Sequence, residues 1–168
     1  MVLILIKGLK NNMNEITFKS DIFYSQLAIF QYGLENPFND WNDIHINQGF
    51  AWREGSVSFG TLSDDEECKI TVRVTDKKEV DTDVIRAIVV PFHIGNKGIE
   101  VGSVMETTAI DFEEGMYELL FTVKRLENGL GHYSFNFIKN NNPKANIIKA
   151  DEELNPPSVL VMKTEPAI

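Results

Sequence analysis

The sequence has little cysteine: one residue, Cys68, in a chain of 168. A single thiol excludes an internal disulfide framework and a cysteine-based zinc site, and it is compatible with a reducing cytosol. Cys68 directly follows the acidic residues at positions 64–67, whose negative charge disfavours a thiolate. It also alternates in phase with Ile70 and Val72. We therefore interpret Cys68 as a core residue and not as a nucleophile.

Long apolar runs are also lacking. The amino-terminal MVLILIKGLK has five apolar residues after Met1 and then Lys7, whereas a bilayer-spanning helix needs ~20. It has neither basic residues before the apolar run nor the small-residue cleavage site of a secretory signal. The sequence thus predicts no transmembrane segment and a cytoplasmic location. Residues 1–15 are interpreted as an extension, either an edge strand or a segment upstream of a working start at Met13.

Basic residues are outnumbered. The chain has 16 Lys and Arg against 25 Asp and Glu, for a formal net charge of -9. Such a charge repels polyphosphate, so nucleic acid is not expected to bind directly, and a basic protein partner fits better. The alternative is that the excess of acid only keeps a small protein soluble.

The spacing motifs of common enzymes are absent from the sequence. There is no G-x-S-x-G elbow, no phosphate-binding loop and no dinucleotide fingerprint. The three histidines, His45, His93 and His132, are scattered and form no i, i+4 pair. We predict that the protein is not an enzyme and holds no metal or cofactor. An enzyme would need a cleft that brings His45 or His93 to carboxylates at ~3 Å.

Alternating apolar residues dominate from about residue 16 onward. GMYELLFTVK, HYSFNFI and ECKITVRV each place apolar side chains on one face, and ENGLG supplies a hairpin turn between the first two. VIRAIVVPFHI is apolar in both phases, as in a strand covered on both sides, and its Pro91 indicates an edge or bulge. GNKG is interpreted as another hairpin turn. Further strands are expected around residues 23–32, 56–62, 145–149 and 158–162.

Helical periodicity is confined to residues 40–48. Asp40 is the expected N-cap, Gly49 the expected terminator, and Trp41 the expected anchor of the helix to the sheets. About eight short strands and one short helix predict an all-β fold, an antiparallel β-sandwich over residues 16–150. Tyr117 is expected to form a tyrosine corner. Residues 151–168, with three prolines, are expected to be an irregular tail.

Several stretches occur in an ordered series: YSQLAIFQ, the pair Asp40-Trp41, QGFAWREGSVSFGT, VPFHI, KGIEVGSVM and DFEEGMYEL. In this order and spacing they resemble the competence protein J family, inhibitors of the DNA-entry nuclease of Bacillus-type bacteria. The resemblance covers residues 24–123 and matches less well before residue 20, at 64–67 and beyond about residue 140. It implies a protein that binds the nuclease, which works at the membrane, and blocks it. The residues that match the family pattern, without an assigned role, are Trp41, Pro91, Phe92, His93 and Gly98.

Three acidic clusters occur, at residues 63–67, 111–114 and 151–153, and the first two are candidate calcium loops or partner-binding sites. The segment SDDEE (residues 63–67) lacks the ligand spacing of a calcium loop. For each cluster the alternative is ordinary solvated loop charge. We hypothesise that the clusters at 64–67 and 111–114 face a basic cleft of the nuclease. Their carboxylates would mimic the phosphate charge of DNA there. The residues concerned are Asp64, Asp65, Glu66, Glu67, Asp111, Glu113 and Glu114.

Two other functions fit the sequence. The first is an immunity protein against a nuclease toxin, which would use the same electrostatics. The second is a β-sandwich that binds a sugar or another small ligand, with Trp41 and Trp52 exposed together as stacking platforms.

Overall fold

Two six-stranded sheets form a sandwich. The computed structural model describes the backbone of residues 2–6 and the whole of residues 14–168. The elements are β1 (Val2–Ile6), β2 (Glu15–Asp21), β3 (Gln26–Gln31), α1 (Asp43–Gln48), β4 (Phe50–Arg53), β5 (Ser56–Gly60), β6 (Glu67–Val74), β7 (Arg86–Ile94), β8 (Ile99–Gly102), β9 (Glu106–Ile110), β10 (Gly115–Arg125), β11 (Gly131–Lys139) and β12 (Asn146–Lys149). One sheet has the order β1-β9-β8-β3-β5-β4 and the other β12-β7-β10-β11-β6-β2. The predicted all-β fold with one short helix is confirmed.

Most neighbouring strands are antiparallel, and two pairs are parallel. β1 runs parallel to β9 at the edge of the first sheet, and β11 runs parallel to β6 within the second. Met13, the alternative start, lies outside the described residues.

The alternating strands supply the core between the sheets. On β10 the side chains of Tyr117, Leu119, Phe121 and Val123 are fully buried, as the alternation predicts. Phe121 stacks on Phe59 of the opposite sheet, with ring centroids 4.2 Å apart. Aromatic pairs of this kind stabilise a core beyond the area that they bury.

The strand directions define two ends of the sandwich. We call the end with α1 and the β5–β6 loop the helix end, and the end with the turns at 54–55 and 95–98 the hairpin end. β6 has eight residues, so at ~3.3 Å per residue the ends are roughly 25 Å apart.

Three local predictions are wrong. GNKG is not a hairpin turn: it joins β7 to β8, which belong to different sheets. The helix begins later than expected, with Asn42 and not Asp40 as its N-cap, because the Asn42 side chain accepts from the N–H groups of Ile44 and His45. Residues 158–162 form no strand, since the backbone of Val161 bonds to the side chain of Gln48.

Segments outside the strands cover the outer faces of the sheets, which a simple sandwich would expose to solvent. Val57 and Phe59 of β5 point inward as predicted, but Ser56 and Ser58 are also fully buried. The amide of Asn39 donates to both serine hydroxyls, each at 3.2 Å. Similarly, Val80 and Val84 cover a small second core with Ala87 and Val89 of β7 and Leu120 of β10.

The last residues run along α1 and the segment before it. Asn155 N–H donates to the carbonyl of Asn47, and Asp40 N–H donates to that of Glu165, both at 2.9 Å. Apart from an isolated bridge between Asn39 and Pro166, residues 151–168 contain no strand or helix. This course places residues 151–154 at the helix end, next to the glycine that ends α1, Gly49.

Candidate partner-binding surface

Burial makes Cys68 unreactive. Its side chain is 1% exposed, and burial, followed by the charge of Asp21, raises the pKa of the thiol to about 12. The thiol therefore stays protonated at neutral pH and is no nucleophile. The interpretation of Cys68 as a core residue is confirmed.

The three histidines form no common site, and two of them, His45 and His132, have structural hydrogen bonds. The ring of His45 is buried; its Nδ1 accepts from the N–H of Asn42 at 3.1 Å, so Nε2–H donates to the Lys163 carbonyl at 2.9 Å. His132 contacts the Thr71 hydroxyl at 2.8 Å, and burial, followed by nearby lysines, lowers its pKa to about 4. Within the described residues, no three His, Cys, Asp or Glu side chains are grouped to hold a metal.

The acidic β5–β6 loop lies at the helix end and is partly tied down. Asp64 accepts hydrogen bonds from the backbone N–H groups of Ser25 and Asp65, at 3.0 and 2.9 Å. The Ser63 hydroxyl donates to Glu66, and Glu67 pairs with Lys19 at 3.6 Å. Asp64, Asp65 and Glu67 are nevertheless exposed.

The β9–β10 loop, with Asp111, Glu113 and Glu114, lies at the hairpin end. Tyr117 donates its hydroxyl to the Glu113 carbonyl at 2.8 Å, which confirms the tyrosine corner. The Glu113 carboxylate pairs with Lys139 at 2.7 Å. The structure therefore separates the two acidic loops by the length of the sandwich, and only a partner that covers this length contacts both.

The residues that match the family pattern are spread over both ends. At the helix end, half-buried Trp41 donates from Nε1 to Gln26 at 3.3 Å and packs edge-on against His45, so it links α1 to β3 as expected. At the hairpin end, Phe92 is core and His93 is exposed.

Pro91 and Gly98 have clear backbone roles. β12 pairs only with residues 87–89 of β7, so Pro91 has a free edge on that side, as predicted. The Pro91 carbonyl accepts from Nε1 of half-buried Trp52 at 2.7 Å. Gly98 has φ +81°, and a Cβ there would lie 2.3 Å from the carbonyl oxygen of Ile110. Only glycine fits at this position.

The two tryptophans do not form a common stacking platform. Both are half-buried, and they line different cavities: Trp41 at the helix end and Trp52 beside Pro91. The condition that a sugar-binding function requires is therefore not met.

Sequence reasoning missed a groove of about 390 Å³ at the helix end, which we call the helix-end groove. Its apolar walls come from residues far apart in the chain: Tyr24, Trp41, Ile46 and Leu154. Tyr24 and Ile46 are 71% and 57% exposed, so they extend the groove into an open surface. No local pattern relates these residues, because they meet only through the tertiary fold.

Arg86 lies at the base of the groove and is 2% exposed. Its Nε and Nη2 donate to the two oxygens of Asp151, at 2.8 and 2.9 Å, and Nη1 donates to the Gly60 carbonyl at 2.9 Å. Nη2 also reaches Glu153 at 3.4 Å. A buried guanidinium requires such partners, so the residues after β12 are part of the groove.

The turn that carries Tyr24 has an unusual backbone. Tyr24 and Ser25 have φ of 60° and 53°, a left-handed conformation that is uncommon for non-glycine residues and an outlier for a bulky one. Ser25 N–H donates to Asp64, and its carbonyl accepts from Thr61 N–H at 3.0 Å. The acidic loop thus holds Tyr24 at the edge of the groove.

The model of the competence protein J (ComJ) family matches residues 19–138. The chain belongs to the competence protein J family. This confirms the resemblance found in the sequence and agrees with the prediction of a non-enzymatic protein. Within the described residues, no helix has the length and apolarity to cross a membrane.

Comparisons of sequence and of structure both find similarity to a nuclease inhibitor of Bacillus subtilis. A Bacillus subtilis (strain 168) protein named DNA-entry nuclease inhibitor is 30% identical over 99 residues, 58% of this chain and 74% of that protein. The crystal structure of ComJ from Bacillus subtilis, described as an inhibitor of the DNA-degrading activity of NucA, superimposes with a TM-score of 0.67. At 24% identity it covers 74% of this chain and 96% of its own and shows the same fold.

Proposed function

We propose that this protein binds a DNA-entry-type nuclease and blocks its degradation of DNA. Membership of the competence protein J family carries the proposal, because the similar Bacillus subtilis protein is named an inhibitor of such a nuclease. The chemistry of the chain agrees with it: Cys68 is buried and protonated, and the histidines lie apart.

The charge of the protein supports a basic partner. With a net charge of -9, the protein attracts the positive surface that a DNA-degrading enzyme presents to its substrate. Electrostatic complementarity of this kind raises the association rate more than it lowers the dissociation rate. Inhibition should therefore weaken as salt is raised.

Because the two acidic loops lie at opposite ends of the sandwich, the contribution of each to inhibition can be tested separately. One variant carries amides at Asp64, Asp65, Glu66 and Glu67, and the other at Asp111, Glu113 and Glu114. Amides keep the acceptor oxygens that Asp64 and Glu66 use within their loop, so only charge is removed. If inhibition and its salt dependence are unchanged in both variants, charge mimicry by these loops is wrong.

The decisive experiment is a titration of the purified protein into a plasmid-degradation assay with a DNA-entry nuclease from the same organism. We expect degradation to stop near a fixed molar ratio. A nuclease of unrelated fold, assayed in parallel, controls for binding of the plasmid by the acidic protein. Full digestion of the plasmid at a molar excess of this protein rejects the inhibitor function.

A further inference from the structure

We propose that the helix-end groove is the surface that holds the partner, and that the partner inserts an apolar side chain flanked by basic residues. This inference rests on the proposed function and adds the location and chemistry of the contact. It assigns binding to the helix end, and not to the β9–β10 loop at the opposite end.

The first observation is the inverted polarity of α1. A surface helix normally buries its apolar side chains and exposes its polar ones. α1 does the reverse: His45 and Gln48 are 4% and 0% exposed, whereas Ile44 and Ile46 are 44% and 57% exposed. The buried polar side chains bond to the backbone of Lys163 and Val161. The polar side chains of α1 therefore bind the carboxyl-terminal residues, and Ile44 and Ile46 remain exposed, where a partner can contact them.

The second observation is the clustering of exposed apolar side chains. Ile46 and Tyr24 border one groove with Trp41 and Leu154. Single exposed apolar residues are common, but a contiguous apolar patch with a concave centre is typical of an interaction site. Tyrosine and tryptophan in such a patch are the residue types that carry most binding energy.

The third observation is the charge around the groove. Arg86 is the one cation among its lining residues, in the part of the chain that the structure describes, and Asp151 and Glu153 neutralise it. Asp64 is bonded to the turn of Tyr24, and Asp43 lies one helical turn before Ile46. An apolar centre with a carboxylate border complements a basic partner.

The fourth observation is that the groove is already built. The Arg86–Asp151 pair fixes its base, and the Ser25–Asp64 bond fixes the turn of Tyr24. A surface that is ordered before binding loses less conformational entropy when the partner arrives. The left-handed backbone of Tyr24 is retained in spite of its cost, which is a feature of functional sites.

The test uses matched substitutions in the full-length protein. At the groove, Tyr24→Ala removes an aromatic side chain and Ile46→Lys introduces a positive charge. Tyr32→Ala, near the hairpin end, and Ile148→Lys, on β12, are the controls, because these residues are exposed but lie outside the groove. Circular dichroism and thermal unfolding establish that all four variants remain folded. Binding to the nuclease is measured by calorimetry and inhibition by plasmid degradation.

We expect Tyr24→Ala and Ile46→Lys each to raise the Kd for the nuclease at least tenfold, and the two controls to change it less than about twofold. Comparison of Ile46→Glu with Ile46→Lys shows whether the contacting surface of the partner is positively or negatively charged. It removes the same apolar side chain but keeps attraction to basic residues, so it should weaken binding less than Ile46→Lys.

The outcomes separate the two proposals. A wild-type protein that neither binds nor inhibits the nuclease overturns the proposed function and this inference together. A wild-type protein that inhibits, with groove variants equal to their controls, overturns the inference alone. Stronger binding by Ile46→Lys than by Ile46→Glu rejects the basic partner. Loss of a wild-type dimer in light scattering, with inhibition retained, assigns the groove to self-association and overturns the inference.

Discussion

The carboxylate of Asp64 accepts a hydrogen bond from the backbone N–H of Ser25 at 3.0 Å, across 39 positions of sequence. The acidic β5–β6 loop is thereby joined to the turn that carries Tyr24. Asp64 is thus bonded to the turn at the edge of the groove, in addition to carrying one of the charges that we propose attract the partner.

Asp64→Ala is expected to loosen the Tyr24 turn, whereas Asp64→Asn is expected to retain it. Loss of one hydrogen bond to a charged acceptor costs about 1.5–3 kcal/mol, so the amide of Ser25 should exchange with solvent more than tenfold faster in Asp64→Ala. Hydrogen exchange followed by NMR measures this rate. Asp65→Asn, one residue along, is the control for charge removal. Equal protection of Ser25 in Asp64→Ala and wild type would contradict the assigned role.

The buried Arg86 makes Asp151 essential for stability. Asp151→Ala leaves the guanidinium without its main counter-charge, and we expect a loss of about 3–5 kcal/mol in the free energy of unfolding. Glu67→Ala, which breaks the exposed pair with Lys19, should cost less than about 1 kcal/mol. Urea denaturation compares the variants. A cost for Asp151→Ala as small as that for Glu67→Ala would be inconsistent with a buried charge at Arg86.

Gly98 should tolerate no side chain, although its backbone conformation alone is not prohibitive. Gly98→Ala places Cβ 2.3 Å from the Ile110 carbonyl oxygen, and we expect a loss of at least about 3 kcal/mol. Gly33 has nearly the same φ, +79°, with nothing within 4 Å of its added Cβ. Gly33→Ala should therefore cost only about 1 kcal/mol. Thermal unfolding of both variants isolates the steric part, and equal losses would refute it.

His132 should make stability fall on mild acidification. Its pKa is lowered to about 4 in the folded protein from ~6.5 in the unfolded chain, so the unfolded state binds the proton first. Stability from this residue is complete above pH ~6.5 and declines as the pH falls toward the folded value. Because the ring is partly exposed, we expect a total of roughly 1–2 kcal/mol. His132→Gln should remove this part of the pH dependence in urea denaturation between pH 7 and 5; an unchanged slope would be evidence against it.

Cys68 should resist thiol reagents in the folded protein. With a pKa of about 12 and a buried sulfur, it should react with an aromatic disulfide reagent at pH 8 more slowly than a free thiol by over 100-fold. Addition of urea should restore the normal rate. Fast reaction of the folded protein would place the thiol at the surface.

The parts of the fold predicted from sequence are those in which local pattern and burial agree. Apolar and polar residues alternate in β10, β11 and β6 because one face of each strand packs against the opposite sheet. The alternation does not reveal that Ser56 and Ser58 are covered, since their partner Asn39 comes from a preceding segment. A short glycine-containing loop such as GNKG serves equally well as a hairpin turn or as a crossing between sheets.

The helix-end groove could not be predicted from the sequence because the residues that form it are distant in the chain. Arg86 stands out as a charge inside an apolar strand, which signals a buried ion pair, but its partner Asp151 lies 65 residues away. Ile46 is apolar in a short helix and would normally be assigned to the core. Its exposure follows only because the tail takes the other face of α1.

The course of residues 151–164 also makes the groove separable from the sheets. These residues follow β12 in the chain, yet they supply Leu154 to the groove and Asp151 to Arg86. A chain cut after Lys149 would retain the strands of both sheets but would lack one apolar wall of the groove and the counter-charge of Arg86. Proteolysis of this segment would therefore damage the groove before it removed any strand.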